Sequence, residues 1–319
     1  ERIGDLDVRE FLLRLNNSYK EHWRSDKKNY FGLVTIGHSF GAQLLFRALA
    51  ASYEKELQFN VATPSYVLRN GTSADIDDLA HALEGIGDMT ILVNPAVEAA
   101  AYDQIHHLAH NLRYSDLQTP IILTVSAEKD FPRRYLFPLG RSLGRFFSFA
   151  PRLSSVQKKL ERTALGEYEK HVTHVLLPSG ERQDALVETY GERQRVESLC
   201  SRIRSSPLDS WASDTILPDI YSQKAESPSV EARIRMLDFS DSLTLGGARL
   251  ERASESKFIP YQPFIVARAD SLVVDGHSGI FNERFISFLI RYVGYVEGKR
   301  MVLRATISGE QNRRSPPSR

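Results

Sequence analysis

The sequence predicts an α/β fold built on a doubly wound, mostly parallel sheet with a large cap or lid insertion, and three observations predict it. Short apolar runs without polar alternation recur around Leu33–Ile36, Met89–Val93, Ile121–Val125 and Phe264–Ala267, and runs of that kind suit strands buried on both faces. Helical stretches separate them, the order expected of parallel strands joined by crossover helices. With 42% hydrophobic residues, a chain of 319 residues can fill such a core.

The first element is an amphipathic helix over residues 7–23, with Val8, Phe11, Leu12, Leu15, Tyr19 and Trp23 spaced by three and four behind Asp5 or Asp7. The strand Phe31-Gly32-Leu33-Val34-Thr35-Ile36 follows, then Gly37-His38-Ser39-Phe40-Gly41, then a helix running to about Leu57. Turn signals fill Thr63-Pro64-Ser65 and Arg69-Asn70-Gly71-Thr72. Met89–Val93, stopped by Asn94-Pro95, reads as a buried strand. A helix over Ala100–Tyr114 leads to a third strand, Ile121–Ser126, which ends in Ala127-Glu128-Lys129-Asp130.

From Phe131 to about Pro260 the pattern is irregular. It holds a basic aromatic stretch (Arg133–Arg152), a helical stretch (Val156–Lys170) and a Ser-rich, Pro-punctuated region (Ser201–Ser229). A compact sheet rarely needs a connection longer than about 12 residues, so residues 131–260 are assigned to a cap or lid. Order returns with Pro263–Arg268, a loop over Ser271–Gly279 and a helix over Phe281–Val296. The predicted organisation is therefore core at 1–130, insertion at 131–260, core at 261–304 and a disordered tail at 305–319.

Composition excludes several function classes. Lys and Arg number 41 against 40 Asp and Glu, so no general attraction to nucleic acid is expected. Cys200, alone in the sequence, has no intrachain disulfide partner. No run has the length and apolarity of a membrane span. The start, Glu1-Arg2-Ile3-Gly4-Asp5, carries no secretory signal and reads as a cut, which gives a cytoplasmic expectation.

The chemistry centres on Ser39. A strand, then G-x-S-x-G, then a helix is the order of a nucleophile elbow, in which a sharp turn presents the serine and the flanking glycines let strand and helix pass. A serine there could instead cap the helix. A serine nucleophile needs a base, and that base needs an acid to fix its tautomer. His277, in the Gly-bracketed loop Val273-Val274-Asp275-Gly276-His277-Ser278-Gly279, is the candidate base, with helix capping as its alternative. Asp130 is the candidate acid, and Glu98, just past Asn94-Pro95, is the alternative. His106 and His110 have the spacing of a metal pair, but His107 stands where the helical metal motif has glutamate and no third ligand is evident. His171 and His174 fit either a cleft wall or a satisfied structural role. No phosphate loop occurs, and a serine nucleophile with its histidine and acid needs neither metal nor cofactor.

Through GHSFG at Ser39, SAEKD at Asp130 and DGHSGIF at His277, the chain resembles the α/β-hydrolase superfamily, of the esterase and lipase kind, over residues 7–130 and 258–296. The resemblance implies Ser39 as nucleophile, His277 as general base and acid, Asp130 as the orienting carboxylate and the Phe40 backbone N–H as one oxyanion donor. It implies cleavage of a small-molecule or lipid carboxylic ester through an acyl-enzyme. Tyr135–Leu139 and Arg145–Phe149 would supply an apolar acyl pocket or a lipid-facing lid at a membrane surface, unless they form a core helix. In that fold several strands precede the elbow strand, and a loop among them gives the second oxyanion donor. Only one helix precedes Phe31, so the chain is expected to be the larger piece of a longer protein. The rival expectation is a catalytically inactive hydrolase-fold module used for binding or scaffolding.

Overall fold

The computed structural model describes residues 7–25, 32–62, 83–114, 118–129, 154–179 and 242–314. Its elements in chain order are α1 (Arg9–Ser25), β1 (Val34–His38), α2 (Phe40–Ala62), β2 (Met89–Val93), α3 (Ala99–His110), β3 (Ile122–Ala127), α4 (Ser155–Arg162), a 3-10 turn (Glu169–His171), β4 (His174–Pro178), β5 (Ser242–Leu245), β6 (Ala248–Arg252), β7 (Phe264–Ala269), a second 3-10 turn (Gly279–Phe281) and α5 (Glu283–Arg314).

The strands form one sheet in the order β1-β2-β3-β7-β4-β6-β5. The five from β1 to β4 run parallel, and β6 and β5 complete the sheet by antiparallel pairing. Every residue of β2 and β3 is buried, which explains why their sequences show no alternation: both faces are covered. On one face Ile91, Val93, Leu123, Val125, Ile265 and Ala267 pack with Phe285, Phe288, Tyr292 and Val296 of α5. On the other, Leu92, Ile122, Phe264 and Val266 pack with Leu12 of α1, Phe46 and Leu49 of α2, and Tyr102 and Ile105 of α3. Among the described residues β1 is an edge strand, and Ile36 on it is exposed.

Two boundaries differ from expectation. Within residues 131–260, assigned above to a cap, β4, β5 and β6 are strands of the main sheet. The Leu176 and Leu250 side chains on them are fully buried in the α5-side core, so the sheet continues past the strand that carries the His277 loop. The aromatic segments at 135–139 and 145–149 lie outside the described residues. Likewise α5 continues through residues 305–314, assigned above to a disordered tail. That stretch combines the good helix formers Ala305, Glu310, Gln311, Arg313 and Arg314 with weaker ones such as Gly309 and Asn312, and it continues a helix already under way.

Because β1, β2, β3 and β7 are parallel, their carboxyl ends open on one edge of the sheet, which is where the topology places the site. The opposite edge is tied by a buried polar knot. Asp88, fully buried, accepts from Tyr19 Oη at 2.7 Å, from the Leu33 amide at 2.7 Å and from Arg300 Nη1 at 3.2 Å. Beside it Gly87 has φ +65°, and a Cβ there would stand 2.3 Å from the Leu33 carbonyl oxygen. The knot joins α1, β1, β2 and α5.

Candidate active site

Ser39 sits between β1 and α2 with φ +54°, a left-handed conformation that costs a non-glycine residue about 1–3 kcal/mol and persists only when its surroundings impose it. Those surroundings are visible. The Ser39 amide donates to the Val93 carbonyl at 3.0 Å, and the Ser39 carbonyl accepts from Gln43 at 3.1 Å and Ala96 at 3.2 Å. A Cβ on Gly37 would lie 2.7 Å from Ala42 Cα, so only glycine fits there. At Gly41 an added Cβ meets nothing among the described residues. The expectation that both glycines serve the crossing therefore holds for Gly37 alone.

Ser39 occupies the N-cap position of α2, yet its hydroxyl turns to the other half of the site: Ser39 Oγ and His277 Nε2 are 2.9 Å apart. Both residues are half-buried. Phe40 is the first residue of α2, where an amide has no intrahelical acceptor and the helix dipole is positive. A developing oxyanion beside Ser39 would find that amide.

His277 lies in the loop between β7 and α5. Its backbone carbonyl accepts from His38 Nε2 at 2.8 Å and from Asn94 Nδ2 at 2.9 Å. Asn94 also donates to the Gly276 carbonyl at 3.1 Å, and its Oδ1 accepts from the Ala127 amide at 2.8 Å. Asn94 is fully buried with φ +45°. Of the three non-glycine residues with positive φ among those described, two, Ser39 and Asn94, stand at this edge, and the third, Tyr261, stands ahead of β7 at the other. Sequence reasoning took Asn94 only as a strand terminator; an asparagine, tolerant of left-handed backbone, closing a buried strand was the available signal.

Asp130 lies outside the described residues. The chain leading to it does not: the carbonyl of Lys129 is 3.3 Å from the position of a Cβ on Gly276, the neighbour of His277. Glu98, the alternative acid, heads α3, is nearly fully buried and accepts from Arg47 Nη2 of α2 at 2.7 Å. This ion pair fastens α2 to α3.

Four other histidines, His106, His107, His110 and His171, gather at α3. His171 Nε2 is 3.0 Å from Asp103 Oδ1, and the His106 ring centroid is 4.0 Å from that of His110 and 4.6 Å from that of His171. Their rings pack on one another, and among the described residues no group of three or more His, Cys, Asp or Glu is arranged to hold a metal ion. Burial, with the neighbouring imidazoles, pushes His106 down to about 3. His171 and His174 are both buried. No described helix is long and apolar enough to cross a membrane. Compared with known protein families, curated proteins and solved structures, the chain matches none of them.

Proposed function

We propose that this chain is a serine hydrolase of the α/β-hydrolase kind that cleaves carboxylic esters through an acyl-enzyme. The observation that carries the reading is the 2.9 Å approach of Ser39 Oγ to His277 Nε2, made by residues 238 positions apart in the chain. Nε2 takes the hydroxyl proton as Ser39 Oγ attacks the ester carbonyl, and the same proton then goes to the departing alcohol. The amide of Phe40, at the positive end of α2, donates to the oxyanion. Water, activated by His277, then releases the acid and restores the serine.

Asp130 is assigned as the carboxylate that orients His277. It is the next residue in the chain after Lys129, whose carbonyl lies against Gly276, whereas Glu98 is engaged with Arg47. An apolar acyl chain suits the rim. Phe40 is 75% exposed, and Leu272 and Phe281, which flank His277 in the same loop, are exposed by 63% and 62%. Exposed side chains of that size beside a reactive pair are the groups an acyl chain would cover.

A fluorophosphonate probe tests the reaction class. Covalent labelling of the wild type that is lost in Ser39→Ala is expected; a folded, full-length protein that stays unlabelled would overturn the enzyme reading and leave that of a binding module. A series of p-nitrophenyl esters then tests the substrate class, kcat/KM rising with acyl length. A flat or falling series would remove the apolar acyl assignment while leaving the hydrolase.

A further inference from the structure

The residues that flank the elbow do more than shape it. We infer that His38 and Asn94 are positioning residues that together hold His277 in register with Ser39, an inference that rests on the hydrolase reading for its catalytic consequence but not for its geometry. His38 immediately precedes the nucleophile, and Asn94 ends β2, the strand next to β1. Both donate to one oxygen, the carbonyl of His277. A carbonyl only accepts, so the proton of His38 stands on Nε2. Asn94 uses both amide hydrogens, on Gly276 and His277, while its oxygen receives the Ala127 amide of β3.

The loop carrying the base is thereby fixed to three strands at once: β1 through His38, β2 through the Asn94 backbone and β3 through the Asn94 side chain. A hydrogen bond from a side chain to a loop carbonyl is worth only about 1 kcal/mol in stability. Its leverage on rate is larger, because a misplacement of about 1 Å at a reacting pair can cost roughly 10²-fold. The backbone alone does not explain Asn94. Asp tolerates the same left-handed angle, but a carboxyl group offers at most one donor where the amide offers two.

The test compares Asn94→Asp, His38→Leu and His38→Gln, the last of which returns an N–H donor at similar reach. Asn94→Asp should lower kcat by ~10² and His38→Leu by ~10-fold, with KM unchanged, and His38→Gln should recover most of the His38→Leu loss. Long-range proton–nitrogen NMR of the His277 imidazole is recorded on the same proteins, where both substitutions should shift its nitrogen resonances. Equal kcat per folded molecule, with unshifted His277 resonances in His38→Leu and in Asn94→Asp, would overturn the inference. If the wild type hydrolyses no ester and takes no fluorophosphonate, the hydrolase reading fails, and the imidazole resonances alone decide whether the grip exists.

Discussion

The two edges of the parallel sheet both bury polar groups, and they do so to opposite ends. At the carboxyl edge Ser39 and Asn94 are held at positive φ, the hydroxyl and imidazole stay half-open to solvent, and hydrogen bonds are spent on fixing a loop. At the amino edge Asp88 is sealed among Tyr19, the Leu33 amide and Arg300; beside it the positive φ falls on a glycine, Gly87, and a further one falls on Tyr261, just ahead of β7. The edges differ in what the polar groups do: at the carboxyl edge the strained residues hold the His277 loop and meet its imidazole, whereas at the amino edge the buried groups close on one another.

The comparison breaks most visibly under substitution at its two centres. Ser39→Ala should abolish ester turnover, a loss on the order of 10⁶ in kcat, while relief of the left-handed strain is not expected from alanine and the unfolding midpoint should barely move. Asp88→Ala should do the reverse. It leaves Arg300 without its buried partner, which costs about 3–5 kcal/mol, read as a lower urea midpoint, with kcat of the folded fraction unchanged. A turnover defect in Asp88→Ala that exceeds its loss of folded protein would erase the distinction between the edges.

The glycines of the elbow sharpen it further. Gly37→Ala drives a methyl into the Ala42 backbone and should both destabilise the protein and lower kcat. Gly41→Ala, in open space on a helix, should be neutral or stabilising by up to about 1 kcal/mol. Comparable losses at the two positions, measured by thermal unfolding, would show that the elbow needs both.

The smallest effects are in pH. Glu297, near Asp88, is pushed up from 4.5 to about 7 by burial and by that neighbouring charge. The folded state binds its proton more tightly than the unfolded one, so this group's stabilisation is lost as pH rises from about 4.5 to 7. His106 runs the other way. Its value falls from 6.5 to about 3, the unfolded state binds the proton first, and stability is lost as pH falls below about 6.5. Glu297→Gln should therefore flatten the loss toward neutral pH and His106→Gln the loss toward acid, in unfolding midpoints measured from pH 4 to 8. A Glu297→Gln profile with the wild-type slope would mean that the carboxyl is not held neutral.

Much of the carboxyl edge could be read in the sequence. The G-x-S-x-G turn is local, and the close approach of Gly37 to Ala42 lies within five positions, although Val93 and Ala96 also hold the Ser39 backbone. The pairing of Ser39 with His277 follows from chain order once an elbow is assumed, and the buried strands announce themselves by unbroken apolar runs. What escaped lies in contacts with no local mark. His38 looks like a free position of the motif, because its acceptor is 239 residues away. Strands β5 and β6 carry Ser242, Thr244, Arg249, Glu251 and Arg252, and at the antiparallel margin one face is polar, so no unbroken run betrays them. The amino-edge knot escaped as well, since Tyr19, Asp88 and Arg300 share only the place where they meet.

The position of β7 bears on how such a protein is made. It is the last strand in chain order among the described residues, yet it lies in the middle of the sheet, between β3 and β4. During synthesis β1, β2 and β3 can assemble early, and β4 can pair with β6, but the two groups cannot join until residue 269 has left the ribosome. Until then β3 and β4 each present an open, apolar strand edge, the kind of surface that seeks wrong partners. His277 emerges immediately afterwards. The Ser39–His277 contact is thus made only once the sheet is closed, and an interrupted chain would hold Ser39 without its imidazole partner.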